Sequence, residues 1–124
     1  MPEGQIFVLV VEDEELVRLI VVEALRDAGL EVMEAEHAEA ALSVFQRHAA
    51  RIHVLFTDIQ MPGDMDGLAL AHHTAKTWPG IALLITSARP RPDQALLPAK
   101  SRFVAKPYRH SHVVRHIREL AAAA

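Results

Sequence analysis

Four short, largely apolar runs, each ending at a polar residue, constrain the fold of this chain more than any other feature. Ile6 to Val11 (IFVLVV) ends at Glu12 and Asp13, and Val54 to Thr57 ends at Asp58. Ile81 to Thr86 (IALLIT) ends at Ser87, and Phe103 to Ala105 at Lys106. Continuous β-branched runs of this length read as strands buried on both faces, the signature of a parallel sheet. Leu30 to Ala35 is a fifth candidate strand.

Between the runs the period changes to that of a helix. Val17, Ile20, Val21, Ala24, Leu25 and Ala28 form one stripe, closed by Gly29 at the position of a C-terminal cap. Ala38 to Ala49 is a second helix, with Ala38, Ala41, Leu42 and Phe45 on one side. Leu68, Ala71, His72 and Ala75 mark a third, stopped by Pro79-Gly80, with Trp78 plugging its end. Val113, Val114, Ile117, Leu120 and Ala121 mark the last. His72 and His73 cannot share a helix face, so one is expected near the sheet and one in water. Pro90, Pro92 and Pro98 confine any fourth helix to little more than a turn within Arg89 to Ala99. Alternating β and α units predict a doubly wound, five-stranded parallel α/β sheet of order 2-1-3-4-5, with a short or irregular fourth helix.

The 124 residues, 51% hydrophobic and 23% charged, are expected to form one domain spanning 1–124. A net charge of −3 gives no global basic field, so no nucleic-acid partner is expected. No cysteine is present, which excludes disulfides, thiolate zinc sites and a cysteine nucleophile, and a cytoplasmic location is the default. No apolar run is long enough to be a signal-peptide core or to span a membrane, so no membrane partner is expected. Ala121 to Ala124 reads equally as a helix extension or as the stub of a linker.

Parallel strands bring their C-terminal ends to one edge of the sheet, where ligands bind in such folds. Order 2-1-3-4-5 makes the first and third strands neighbours, so Glu12, Asp13 and Asp58 crowd together there. Carboxylates that close demand a cation, and hard oxygen donors suit Mg2+. A metal, the Lys106 ammonium and the Ser87 hydroxyl together supply what a phosphoryl group needs, and Asp58 is the central nucleophile.

The runs VLVVEDEE (Val8 to Glu15), LFTDIQMPGDMDG (Leu55 to Gly67), LLITSA (Leu83 to Ala88) and FVAKPY (Phe103 to Tyr108) stand in that order, each at a strand end. Together they resemble the receiver domain of bacterial two-component response regulators, a flavodoxin/CheY-like fold. The resemblance implies that Asp58 is phosphorylated by a sensor histidine kinase or a phosphotransfer protein. It implies that Asp13, Asp58 and the backbone carbonyl of Gln60 ligate Mg2+, with Glu12 acting directly or through water. Ser87 and Phe103 take the two switch positions, and Lys106-Pro107 resembles the family's lysine followed by a cis-proline. Such a protein is no enzyme toward other substrates, since it catalyses only its own phosphorylation and dephosphorylation.

Four departures stand out. Glu12 replaces the more frequent aspartate, Ser87 the usual threonine and Phe103 the frequent tyrosine, and the interval from Ser87 to Lys106 is short and proline-rich. The last of these removes the usual fourth-helix output and dimer surface, so a largely monomeric domain is expected.

Other readings fare worse. A phosphorylation-independent interaction domain of the same fold is the main alternative, and loss of Asp58 or Lys106 would be its mark. A phosphatase lacks a cap or second base, and a dinucleotide-binding module lacks its Gly-rich turn. Asp64 to Gly67 fails as a calcium loop, because Pro62 and His73 fall at ligand positions, and an acidic start to the third helix explains it instead. His112 and His116 are an i, i+4 pair without a third zinc ligand nearby in sequence.

Overall fold

The computed structural model describes residues 5–123. Five strands, β1 (Phe7–Val11), β2 (Glu31–Ala35), β3 (Val54–Asp58), β4 (Ala82–Ser87) and β5 (Arg102–Ala105), form one parallel sheet. Their order is β2-β1-β3-β4-β5, as the sequence predicts. The helices are α1 (Glu15–Asp27), α2 (Ala38–His48), α3 (Gly67–Thr77) and α4 (His110–Ala122). Where a fourth crossover helix was expected to be short, one 3-10 turn, Gln94–Leu96, fits between the prolines.

Alternation along the strands divides the core into two layers. Leu9, Leu55, Leu83 and Ile85 pack against Ala38, Ala41 and Phe45 of α2 and Leu70 and Ala71 of α3. Val8, Val10, Val54, Phe56 and Leu84 pack against Val21, Val22 and Leu25 of α1 and Val113, Ile117 and Leu120 of α4. Trp78 follows α3 and stacks on Phe45 with ring centroids 4.9 Å apart, which makes it the expected plug. Each fully buried Leu or Phe contributes about 2 kcal/mol, so the two layers rather than helix propensity fix the crossovers.

Three expectations need correction. Leu30 lies outside β2: Gly29 takes φ +92°, and the Leu30 amide closes back on the Leu25 carbonyl at 3.1 Å, ending α1 as a Schellman-type turn. The buried stripe of α1 is rotated, with Val22 inside and Ile20 half exposed, because the sheet and α4 share this helix. On α3 both His72 and His73 are exposed, and Leu70, Ala71 and Thr74 take the sheet-facing positions. Thr74 satisfies its buried hydroxyl by donating to the Leu70 carbonyl at 2.8 Å.

Candidate functional site at the strand ends

β1 and β3 are direct neighbours, paired from Val8 with Val54 to Val11 with Thr57. The residues that follow or end these strands therefore meet at one point of the sheet edge. Carboxylate oxygens of Glu12, Asp13 and Asp58 all lie within 4.8 Å of one another. Glu12 and Asp58 are buried, whereas Asp13 is exposed.

Lys106 extends from the end of β5 to neutralise the buried pair. Its Nζ donates to Asp58 Oδ2 and to Glu12 Oε1, each at 2.7 Å. Burial pulls the Lys106 pKa down, but the hydrogen bonds to Asp58 and Glu12 outweigh it and raise it above the ordinary lysine value. The ammonium is therefore charged throughout the physiological range. Burial pushes the Glu12 carboxyl up, and the neighbouring Asp58 adds to this, while hydrogen bonds from Lys106 and the Glu14 amide oppose it. Glu12 Oε2 accepts the Glu14 amide at 3.1 Å, which ties this acid to the start of α1.

The loop after β3 completes the arrangement. The Gln60 amide donates to Asp58 Oδ1 at 3.2 Å, and the Ser87 hydroxyl donates to Gln60 Oε1 at 2.6 Å. Ser87 also accepts the Arg89 amide at 3.0 Å. The peptide bond between Lys106 and Pro107 is cis, as the resemblance implies. Phe103 is partly buried and packs on the α2–α3 side of the sheet. Beside these groups lies an open crevice of about 490 Å³, lined by Asp13, Gln60, Met61, Asp66 and Arg89 among others.

Each residue expected at the site is thus at the strand-end edge, with Phe103 set back along β5. Two further contributors escaped the sequence reading. The Gln60 side chain, rather than its backbone alone, links Asp58 to Ser87. Gly67 supports Asp58 from below: its amide donates to the Ile59 carbonyl at 2.9 Å, and its α-carbon abuts the Asp58 backbone. A glycine at the first position of a helix is a poor helix former, and that misfit was the available signal. Asp66 accepts the Ala69 amide at 2.8 Å as the cap of α3, the acidic helix start that the sequence predicts. His116 faces Arg102, with Nδ1 to Nη1 at 3.3 Å.

Residues 8–118 match the response regulator receiver domain family. The chain belongs to that family. The receiver is 32% identical over 120 residues to the sensor kinase CckA of Brucella abortus (strain 2308), covering 94% of this chain and 13% of that protein. It is 30% identical over 122 residues to the probable transcriptional regulatory protein TcrX of Mycobacterium tuberculosis (strain ATCC 25618 / H37Rv), covering 95% of this chain and 51% of that protein. It therefore spans about half or less of the length of these two relatives. A response regulator receiver domain protein from Clostridium thermocellum shares the fold, with a TM-score of 0.87 at 23% identity over 95% of each chain. The acidic trio is typical of a receiver's magnesium site, and its all-oxygen donor set fits that ion. Among the described residues, no helix is long and apolar enough to cross a membrane.

Proposed function

We propose that residues 1–124 form one receiver domain that accepts a phosphoryl group on Asp58 from a phosphohistidine of a sensor histidine kinase or phosphotransfer protein. The relative of known type that is a sensor kinase supports a histidine-kinase partner. The observation that carries the reading is the Lys106 ammonium held 2.7 Å from Asp58 Oδ2, inside a cluster with a second buried acid and an exposed one. A cation so placed balances the charge of the nucleophilic carboxylate and stands ready to meet the oxygens of an incoming phosphoryl group.

In the transfer, an Asp58 oxygen attacks phosphorus as the bond from phosphorus to the histidine nitrogen breaks, leaving an acyl phosphate. Lys106 moves its charge to a phosphoryl oxygen, and Ser87 leaves Gln60 to donate to another. Asp13, Asp58 and the Gln60 carbonyl would hold magnesium, with Glu12 acting directly or through water. Bound magnesium neutralises phosphoryl oxygens. The resulting movement of Ser87, followed by Phe103, is the switch.

Incubation with acetyl phosphate and magnesium, read by intact mass, tests the reading. One phosphoryl adduct is expected, and Asp58→Asn should abolish it. An adduct that persists in Asp58→Asn would contradict the choice of nucleophile. No adduct on the parent would favour an interaction domain that works without phosphorylation.

A further inference from the structure

Asp13 is the member of the acidic trio that the protein holds least directly. Glu12 and Asp58 are buried and tied to Lys106. Asp13 is exposed, and among the described residues it has no ion pair within 4.0 Å. The direction of its carboxylate is therefore set by the backbone that carries it.

That backbone is clamped from α1. Arg18 Nη1 donates to the Glu12 carbonyl at 2.8 Å. The Glu12 carbonyl and the Asp13 amide belong to one rigid peptide plane, so a bond that fixes the carbonyl also fixes the point from which Asp13 departs. On either side of this plane the chain is tied as well. The Glu12 amide donates to the Ala35 carbonyl at 3.1 Å, and the Arg18 amide donates to the Glu14 carbonyl at 2.9 Å.

The clamp itself is aimed by β2. Val10 and Glu34 are partners in the parallel register, so the Glu34 side chain leaves the sheet on the α1 face. Arg18 Nε donates to Glu34 Oε1 at 3.0 Å while Nη1 serves Glu12, and the Arg18 side chain is only 16% exposed. Two acceptors on two neighbouring strands thus use two directed N–H groups of one planar guanidinium, which a lysine ammonium does not reproduce. Arg26, two turns further along α1, makes a strap of the same kind, its Nη2 donating to the Val32 carbonyl at 3.0 Å. That strap lies near the start of β2, away from the acidic trio.

We propose that Arg18 is a positioning residue for the magnesium site: through the Glu12 carbonyl it holds the Asp13 carboxylate in place to receive the ion. The inference rests on the reading that the acidic trio holds magnesium, and it adds to that site a residue that offers the ion no ligand atom. Electrostatics alone predicts the opposite effect. A guanidinium bonded to the metal-site turn repels a divalent cation, so its removal would tighten magnesium binding if charge were all that Arg18 contributed. If it holds the turn, its loss leaves Asp13 to be ordered by the ion, and binding weakens.

Calorimetric titration of the whole chain with Mg2+ alone tests this. The variants are Arg18→Met, which keeps the apolar stem, Arg18→Lys, which keeps the charge, and Arg26→Met as the matched control on the same helix. The Kd for Mg2+ is expected to rise about tenfold in Arg18→Met, and by a smaller factor in Arg18→Lys. Arg26→Met should bind as the parent does. Phosphorylation by acetyl phosphate supplies a second readout. In Arg18→Met the magnesium concentration giving half the maximal rate should rise in step with the Kd, while the rate at saturating magnesium changes much less. Melting curves without metal show which variants are folded, and if Arg18→Met is not, Arg18→Lys carries the test. Tighter or unchanged magnesium binding in Arg18→Met, parent-like binding in Arg18→Lys, or equal weakening in Arg26→Met would overturn the proposal. A parent that binds no magnesium would overturn the metal reading beneath it, a result distinct from a parent and an Arg18→Met that bind alike.

Discussion

A Cβ placed on Gly67 would lie 1.6 Å from the carbonyl oxygen of Asp58, and 2.9 Å from the Thr57 hydroxyl oxygen. Neither atom is the free end of a flexible chain, because the Thr57 hydroxyl itself donates to that Asp58 carbonyl at 2.9 Å. Gly67→Ala must therefore push the end of β3 away from α3. The expected cost is about 2–3 kcal/mol in urea unfolding. Displacement of Asp58 should also slow phosphorylation in the fraction that stays folded. Parent-like stability in Gly67→Ala would show that α3 can slide freely beneath the site.

Tyr108, the single tyrosine, reports on the same site from the α4 side. Burial pushes its phenol up to about 12, with Lys106 opposing the shift and Glu12 and Asp58 adding to it. A folded pKa above the unfolded value of about 10 means that the proton is held more tightly in the native state. Tyr108 thus contributes stability that is complete below pH 10 or so and is lost as the pH rises toward 12. Phenolate absorbance in the folded protein should titrate near the upper limit, and Tyr108→Phe should remove this part of the alkaline stability loss. A native midpoint near 10 would mean that the phenol is solvated.

The acidic trio sets the response to magnesium. An ion that binds the folded state alone stabilises it by about 1.4 kcal/mol at ten times its Kd, a Tm rise of about 5 °C. Asp13→Asn should reduce that rise, and without metal it should match or exceed the parent in stability, because one of three crowded charges is gone. Melting curves unchanged by magnesium in the parent would remove the metal from the account.

The path of the signal follows from Ser87. Its hydroxyl accepts the Arg89 amide, so a hydroxyl that turns toward a phosphoryl group leaves that amide without its partner. The segment from Arg89 to Ala99 holds a single 3-10 turn. It is therefore expected to respond by a change in order rather than by the shift of a rigid helix. Amide exchange there should change more than elsewhere when beryllofluoride and magnesium are added, with the chain remaining largely monomeric. Unchanged exchange at Arg89, or a tight dimer through α4, would contradict this route.

The strands and their order were readable because β1, β3 and β4 are buried on both faces and carry an unbroken apolar signal. The site followed, since strand ends are where a parallel sheet gathers its ligands. What stayed hidden depends on contacts between elements. Ile20 fits the apolar period of α1 as well as Val22 does, and only the position of α4 decides which is covered. Histidine is an unusual cap, yet His37 Nδ1 accepts the Ala40 amide at 3.0 Å to start α2. Gly67 is required by the backbone of Asp58, nine residues earlier in the chain, and a glycine at a helix start is the one local sign of that contact.

The central claim is that Asp58 is the residue phosphorylated. Borohydride reduces an acyl phosphate to an alcohol, so treating the acetyl-phosphate-labelled protein should convert one aspartate to homoserine. Peptide mass mapping is expected to find homoserine at position 58 alone, with the yield falling sharply in Lys106→Ala. Reduction at Glu12 or Asp13, or phosphate recovered on a histidine with position 58 unchanged, would contradict the account.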